Sequence, residues 1–411
     1  MNVWLVAVVL ILLGSFILET TVAVLNIRAL VPTLPDHFKS IYEQSEYSRS
    51  QAYTRSTTRL GIVENCWSTS LTLLFLLFGG FNVIDIWARA LDLGEIATGL
   101  IFGGVLVLLV SAAALPFSVY ATFVIEERYG FNRTTVRTYM LDLIKTALLS
   151  IVIGAPLFGG IIWFFSATGQ YGWVYCWIGV CCFSLLVQYL APVLIMPLFN
   201  KFTPLEQGEL RNKIEKYLEQ EDFYIQGIFT MDGSKRSSKL NAFFTGFGRF
   251  RKIVFYDTLI EKLDDEEIVA VLAHEMGHFK LDHIQKMMAA TIVQTGIMFY
   301  LLSLFLTVPE VAYAFKMEHP SVYSSLIFFG FLYSPVNIGV SVAFNIFSRK
   351  HEYEADHYGA TSTKSPDFLI SGLKKLSKAN LSNLTPHPLN VFIHYSHPPV
   401  LQRITKLEGH R

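Results

Sequence analysis

Seven stretches of this chain are too long and too apolar for a water-soluble globule: about residues 3–25, 67–88, 98–124, 147–167, 172–199, 287–307 and 323–346. Crossing a bilayer core as a helix takes roughly 20 apolar residues, and these runs approach or exceed that length. Inside hydrocarbon every backbone N–H and C=O needs a partner, which commits each run to helix. The composition agrees, with 52% hydrophobic and only 16% charged residues among 411. The expected architecture is a mostly α, polytopic membrane protein carrying a substantial polar domain. The first run lacks the basic lead and small-residue cleavage site of a signal peptide, because Met1-Asn2-Val3-Trp4 passes straight into apolar sequence. A retained anchor is expected there.

Basic residues set the orientation. Arg28, Lys39, Arg49, Arg55 and Arg59 follow the first run, and Arg128, Arg133, Arg137 and Lys145 follow the third, whereas the alternate short connections offer Arg89 and Lys316. By the positive-inside rule the basic loops face the cytoplasm, so the N-terminus lies outside and the C-terminus inside. Both long polar segments, 200–286 and 347–411, then fall on the cytoplasmic side, where they can build one domain. Four segments follow in order: 1–199 with spans one to five and their loops, 200–286, 287–346 with spans six and seven, and 347–411.

The four cysteines, Cys66, Cys176, Cys181 and Cys182, show no ligand spacing and read as packing residues in or beside the spans. A net charge of zero argues against a nucleic-acid partner. Glu19 and Asp85 fall within apolar runs, so they should face a protein interior or a water-filled cavity, or else snorkel from a span end. Residues 42–59 are polar and free of proline, consistent with a cytoplasmic helix. Residues 125–133, Ile-Glu-Glu-Arg-Tyr-Gly-Phe-Asn-Arg, read as a charged turn.

The polar segment after Pro197 has the ingredients of a small α+β unit. Residues 204–221 carry Leu210, Ile214, Tyr217 and Leu218 on one helical face. Short strand-like runs follow at 224–230, 241–247 and 252–256.

Within the next helix stands His274-Glu275-Met276-Gly277-His278. Helical residues four apart share a face, so His274 and His278 can address one metal ion, with Glu275 beside them to handle a proton. That spacing is the zinc-protease signature. Asp264 or Asp265 can cap the helix, Glu266 and Glu267 suit its first turn, and Ile268, Val271 and Leu272 form an apolar stripe. The competing view is a plain cytoplasmic helix with two histidines by chance. A second element, Ser348-Arg-Lys-His-Glu-Tyr-Glu-Ala-Asp356, weighs against it. A hydrolytic zinc keeps three protein ligands, and a carboxylate from another helix typically completes a two-histidine site. Glu352 is assigned that role. Asp356, one turn on, is placed to accept the outer N–H of a liganding histidine, while Glu354 points elsewhere.

At these residues the chain resembles the type I CAAX prenyl proteases, integral-membrane zinc metallopeptidases. The likeness runs over nearly the full length: seven spans, Glu-Glu-Arg-Tyr-Gly-Phe-Asn at 126–132, Ser-Lys-Arg-Ser-Ser-Lys-Leu-Asn-Ala at 234–242, the two zinc elements, and Tyr-Ser-His-Pro-Pro with a following arginine at 395–403. The resemblance implies that seven helices enclose a chamber, with one Zn2+ held by His274, His278 and Glu352 near its cytoplasmic end and Glu275 as general base. It further implies that the Asn241-Ala242-Phe243 strand edge receives substrate backbone, that His397 steadies the developing oxyanion, and that Arg403 holds a substrate C-terminal carboxylate. The implied substrates are prenylated protein C-termini, and the implied location is the endoplasmic reticulum or, in a bacterium, the inner membrane. The short connection at about 308–322 suits a bacterial or otherwise minimal member.

Two rival functions remain at this point. One is a membrane quality-control metalloprotease of the heat-shock type, which typically has fewer spans. The other is a scaffold or transporter with a vestigial zinc site, which would have no need of Glu275.

Overall fold

The computed structural model describes residues 2–246, 251–306 and 308–409. Among the described residues seven helices are long and apolar enough to cross a bilayer: Val3–Arg28, Gln44–Leu77, Glu95–Glu126, Val136–Thr168, Gly172–Phe199, His283–Phe305 and Val322–Ser362. Few residues in their apolar windows, 0–17%, are buried within the protein. Side chains such as Leu108 and Ile151 point outward at 68% and 64% exposure, which hydrocarbon tolerates and water would not.

The second and seventh are the longest of these helices, and both exceed what a membrane requires. At 1.5 Å per residue the 34-residue second helix runs about 51 Å and the 41-residue seventh about 61 Å, against a hydrocarbon core of roughly 30 Å. The second helix therefore unites the polar 42–59 region and an apolar span, which sequence alone separates. It also ends earlier than the 67–88 run. Gly79 turns the chain at φ +73°, and a distinct helix, Gly80–Arg89, follows. Asp85 sits on that helix, fully buried, paired with Arg89 at 2.8 Å and bonded by the Tyr323 hydroxyl. Glu19 meets His394 at 3.2 Å.

The 308–322 connection holds the helix Pro309–Ala314, whose Val311, Ala312 and Ala314 pack with Phe81 and Phe328 in the bundle core. A cavity of about 1020 Å3 lies among the first, second, third and seventh spans, with Asn26, Glu64, Asn65 and His394 among its polar lining groups.

The polar domain is built on a four-stranded sheet of β1 (Phe202–Pro204), β2 (Gly227–Met231), β3 (Ala242–Thr245) and β4 (Lys252–Tyr256), in the order β1-β2-β4-β3. β2 and β4 run parallel, and the outer pairs are antiparallel. The 241–247 run yields a strand of four residues, and Phe247 lies outside the described residues. The helix Glu209–Gln220 buries Ile214, Tyr217 and Leu218 in the core that also takes Ile228, Ile253 and Phe255 from the sheet.

The Ser-Lys-Arg-Ser-Ser-Lys run fastens this domain to the bundle. Arg236 grips Asp142 with two bonds of 2.7 and 2.9 Å, Lys239 pairs with Glu126 at 3.0 Å, and Ser237 bridges Asn132. The 125–133 segment accordingly leaves its helix at Arg128, turns at Gly130 (φ +74°) and docks on this run.

Candidate metal centre

The motif helix, Asp265–Lys280, is oriented by its own chemistry before any partner arrives. Asp264 caps it, and Glu267 closes a capping box by accepting the Asp264 N–H at 2.9 Å, a device worth about 1 kcal/mol. Ile268, Leu272, Ala273 and Met276 are essentially inaccessible and share the sheet's core. At roughly 1.5–3 kcal/mol for each large apolar side chain, that stripe fixes the helix's rotation. The opposite face carries His274 and His278 to the seventh helix.

Backbone contact there is close. A Cβ on Gly277 would lie 3.0 Å from the Ala355 Cα, and one on Gly359 would lie 3.1 Å from the His274 nitrogen. Only glycine permits both approaches. The crossing brings Glu352 to the histidines: its Oε1 is 3.2 Å from His278 Nε2 and its Oε2 3.5 Å from His274 Nε2. One potential ligand atom from each of the three residues falls within 4.8 Å of the others.

Glu352 is 3% exposed, and its Oε2 makes no hydrogen bond. Arg403 Nη1 lies 3.5 Å from that oxygen and compensates part of its charge, but a buried acceptor without a hydrogen bond is still costly, and a shared divalent cation would remove the cost. Two imidazoles and a carboxylate are a suitable donor set for such an ion.

The remaining groups gather around this cluster. Asp356 stands 2.9 Å from His274 Nδ1. Burial alone would lower the His274 pKa, but hydrogen bonding to Asp356 and Glu352 outweighs it and raises the value to about 9 in the metal-free chain. Glu275 is half-buried, and burial pushes its carboxyl above the ordinary glutamate value against the pull of the two imidazoles. From the tail motif, His397 turns Nε2 to within 3.2 Å of Glu352 Oε1 while 64% of its side chain stays exposed. The seventh helix holds that tail in place: Asn345 donates to the Ile393 carbonyl at 2.7 Å and Arg349 to that of Val391 at 3.0 Å.

Arg403 has a partner inside the protein. Arg403 is buried at 9% exposure and donates twice to Asp356, from Nε at 2.8 Å and Nη2 at 2.6 Å. Its remaining Nη1 lies 3.5 Å from Glu352 Oε2, so all three nitrogens of the guanidinium stand beside carboxylates of the site.

Asn241, Ala242 and Phe243 lie at the start of β3. Among the described residues β3 pairs only with β4, leaving its other edge open. Ala242 and Phe244 face the core that the motif helix shares, and Phe244 stands 6.1 Å from the Phe279 ring. Phe243 points the other way, against Tyr256.

Sequence spacing misses three neighbours: His283, His351 and Glu354. His283 Nδ1 is 3.1 Å from His278 Nδ1, His283 Nε2 is 3.0 Å from Glu354 Oε2, and His351 stacks on His283 at 4.0 Å. Glu354 points away from the ligand face, yet it ends behind a ligand. The available signal was a histidine five residues beyond His278.

A two-histidine, one-carboxylate centre with an adjacent glutamate, set against a seven-helix bundle, defines a membrane metallopeptidase. Residues 23–201 match the CAAX prenyl protease N-terminal region with its five membrane helices, and residues 204–411 match peptidase family M48. The chain is 35% identical over 403 residues to the CAAX prenyl protease 1 homolog of Arabidopsis thaliana, covering 96% of this chain and 95% of that one. It is 33% identical over 408 residues to CAAX prenyl protease 1 of Saccharomyces cerevisiae, covering 91% and 88%. The crystal structure of S. mikatae Ste24p matches with a TM-score of 0.92 at 31% identity, over 99% of each chain. The chain therefore belongs to the type I CAAX prenyl protease family, within peptidase family M48, and is an integral-membrane metalloendopeptidase.

Proposed function

We propose that this chain binds one zinc ion through His274, His278 and Glu352 and removes the C-terminal tripeptide of prenylated CAAX proteins. The observation that carries the metal assignment is the buried Glu352 carboxylate, with Oε1 3.2 Å from His278 Nε2 and Oε2, which makes no hydrogen bond, 3.5 Å from His274 Nε2. The substrate class is supported by the names of the relatives, CAAX prenyl protease 1, over nearly the whole chain.

Bound zinc supplies a Lewis acid for the scissile carbonyl and makes a water acidic near neutral pH. Glu275 takes the proton of the attacking water and returns it to the leaving amine, which its raised pKa favours. His397 donates from Nε2 to the developing oxyanion, a contact worth about 3–4 kcal/mol in comparable sites. Its other nitrogen lies 2.9 Å from the Ser396 hydroxyl, which can accept or donate to suit. Asp356 holds the His274 ring by Nδ1, leaving Nε2 for the metal. An extended substrate adds as a strand along Asn241–Phe243, using main-chain hydrogen bonds. Substrates anchored by a lipid suit a site attached to seven spans. The distribution of Lys and Arg supports an active site on the cytoplasmic side, at the endoplasmic reticulum or a bacterial inner membrane.

The test is hydrolysis of a farnesylated CAAX peptide and its unprenylated twin by the protein in lipid nanodiscs, with and without a chelator. Much faster chelator-sensitive cleavage of the farnesylated peptide is expected. Equal rates on both would favour quality-control proteolysis of the heat-shock type.

A further inference from the structure

His274 and His278 are supported differently. Behind His274 stands a carboxylate, Asp356. Behind His278 stands another imidazole: its Nδ1 faces His283 Nδ1 at 3.1 Å, and His283 Nε2 faces Glu354 Oε2 at 3.0 Å. We propose that His283 and Glu354 are positioning residues of the metal centre, a hydrogen-bonded line that fixes the tautomer and ring angle of His278. The inference rests on the reading of His278 as a metal ligand.

Proton counting supplies the argument. A neutral imidazole that gives its Nε2 lone pair to a metal carries its hydrogen on Nδ1. His278 Nε2 is the nitrogen turned toward Glu352, so Nδ1–H must donate, and His283 Nδ1 is the acceptor in reach. The His283 hydrogen is then on Nε2, where Glu354 accepts it. Each donor meets an acceptor in one consistent order, and the line ends on an anion, which strengthens His278 as a ligand.

The fold builds this line with some effort. Asp282 adopts a left-handed φ of +57° between the motif helix and the sixth span, turning His283 back beside His278. His283 is 2% exposed, and His351 lies flat on it, 10° from parallel. Lys350 approaches the other oxygen of Glu354 at 3.7 Å. His283, His351 and Glu354 could themselves be taken for a second metal site, since one potential ligand atom from each lies within 4.8 Å of the others. Two rings stacked face to face cannot both direct in-plane lone pairs at one ion, so the geometry points to support instead.

The experiment is zinc affinity by chelator competition, with metal stoichiometry and the cobalt-substituted visible spectrum, on full-length protein. His283→Phe keeps a ring for His351 but accepts nothing; Glu354→Ala removes a half-exposed group; Glu354→Gln keeps an acceptor without charge. His283→Phe and Glu354→Ala should each weaken zinc binding by about 10- to 100-fold and shift the cobalt bands, with Glu354→Gln in between. Thermal unfolding of the metal-free variants checks folding, and if His283→Phe fails to fold, Glu354→Ala decides the matter. Undiminished affinity in these variants, while His278→Ala loses the metal, overturns this inference alone. Undiminished affinity in His278→Ala overturns the ligand assignment and this inference with it. Two ions per wild-type chain, one of them lost in Glu354→Ala, would make the cluster a metal site and overturn the supporting role.

Discussion

The Arg403 guanidinium and the Asp356 carboxylate form a two-pronged pair sealed from solvent, with Nε to Oδ2 at 2.8 Å and Nη2 to Oδ1 at 2.6 Å. Removing the cation leaves a buried anion beside His274. Arg403→Ala is expected to lower unfolding stability by about 3–5 kcal/mol, measured by denaturant melts. It should leave unchanged the ratio of cleavage rates on free-acid and amidated peptides. Loss of that ratio with stability intact would mean that Arg403 reaches substrate after all.

Gly277 is where the two metal-bearing helices touch. Alanine there gains about 1 kcal/mol of helix propensity but sets a methyl 3.0 Å from the Ala355 Cα, and backbone cannot move aside as a side chain can. Overpacking of roughly 1–3 kcal/mol should win. Gly277→Ala is therefore expected to lower both the melting temperature and metal content, and a variant more stable than wild type would refute the close-contact argument.

Glu275→Gln should keep its zinc, checked by elemental analysis, and lose turnover by about 10²–10⁴-fold, the usual range for a general base. The wild-type acid limb follows from the same group. The ionised carboxylate is the active form, so kcat/KM falls as pH drops through its pKa. Because burial raises that pKa, the limb should lie above the ordinary glutamate value. A limb at or below that value counts against the assignment.

His274 sets the pH dependence of metal loading. Its raised pKa means that the metal-free chain holds the proton up to about pH 9, and the metal must displace it. Zinc affinity should rise with pH and level off above about 9. Calorimetry in buffers of differing ionisation enthalpy should count close to one proton released from this group near neutrality, and no release would contradict the Asp356–His274 coupling.

Orientation is tested by reporters. A fusion at the C-terminus should report cytoplasmic and one at the N-terminus external. Both on one side would overturn the odd-span topology drawn from the basic loops.

Much of this was legible along the chain because the relevant physics is local. Apolar length commits a segment to a span, and four-residue spacing puts His274 and His278 on one helical face whatever surrounds them. The Asp264 cap and the stripe of Ile268 and Leu272 likewise depend on neighbours a turn away. The second helix was less legible, since its polar half reads as a separate loop helix, whereas the backbone runs unbroken from Gln44 to Leu77, with Glu46 paired to Lys378 at 2.9 Å near its start.

The sequence by itself determined the spans, the motif helix and which side chains could hold a metal. The tertiary structure alone decided what those side chains face. Arg403 turns inward to Asp356 because the tail helix, Val400–Glu408, buries Ile404 and Leu407 against the core and carries Arg403 with them. Glu354, on the wrong face for the metal, reaches the site because Asp282 folds the sixth span back and inserts His283 between them. Such pairings join residues 47 and 71 positions apart, and they depend on how helices cross rather than on any spacing within one helix.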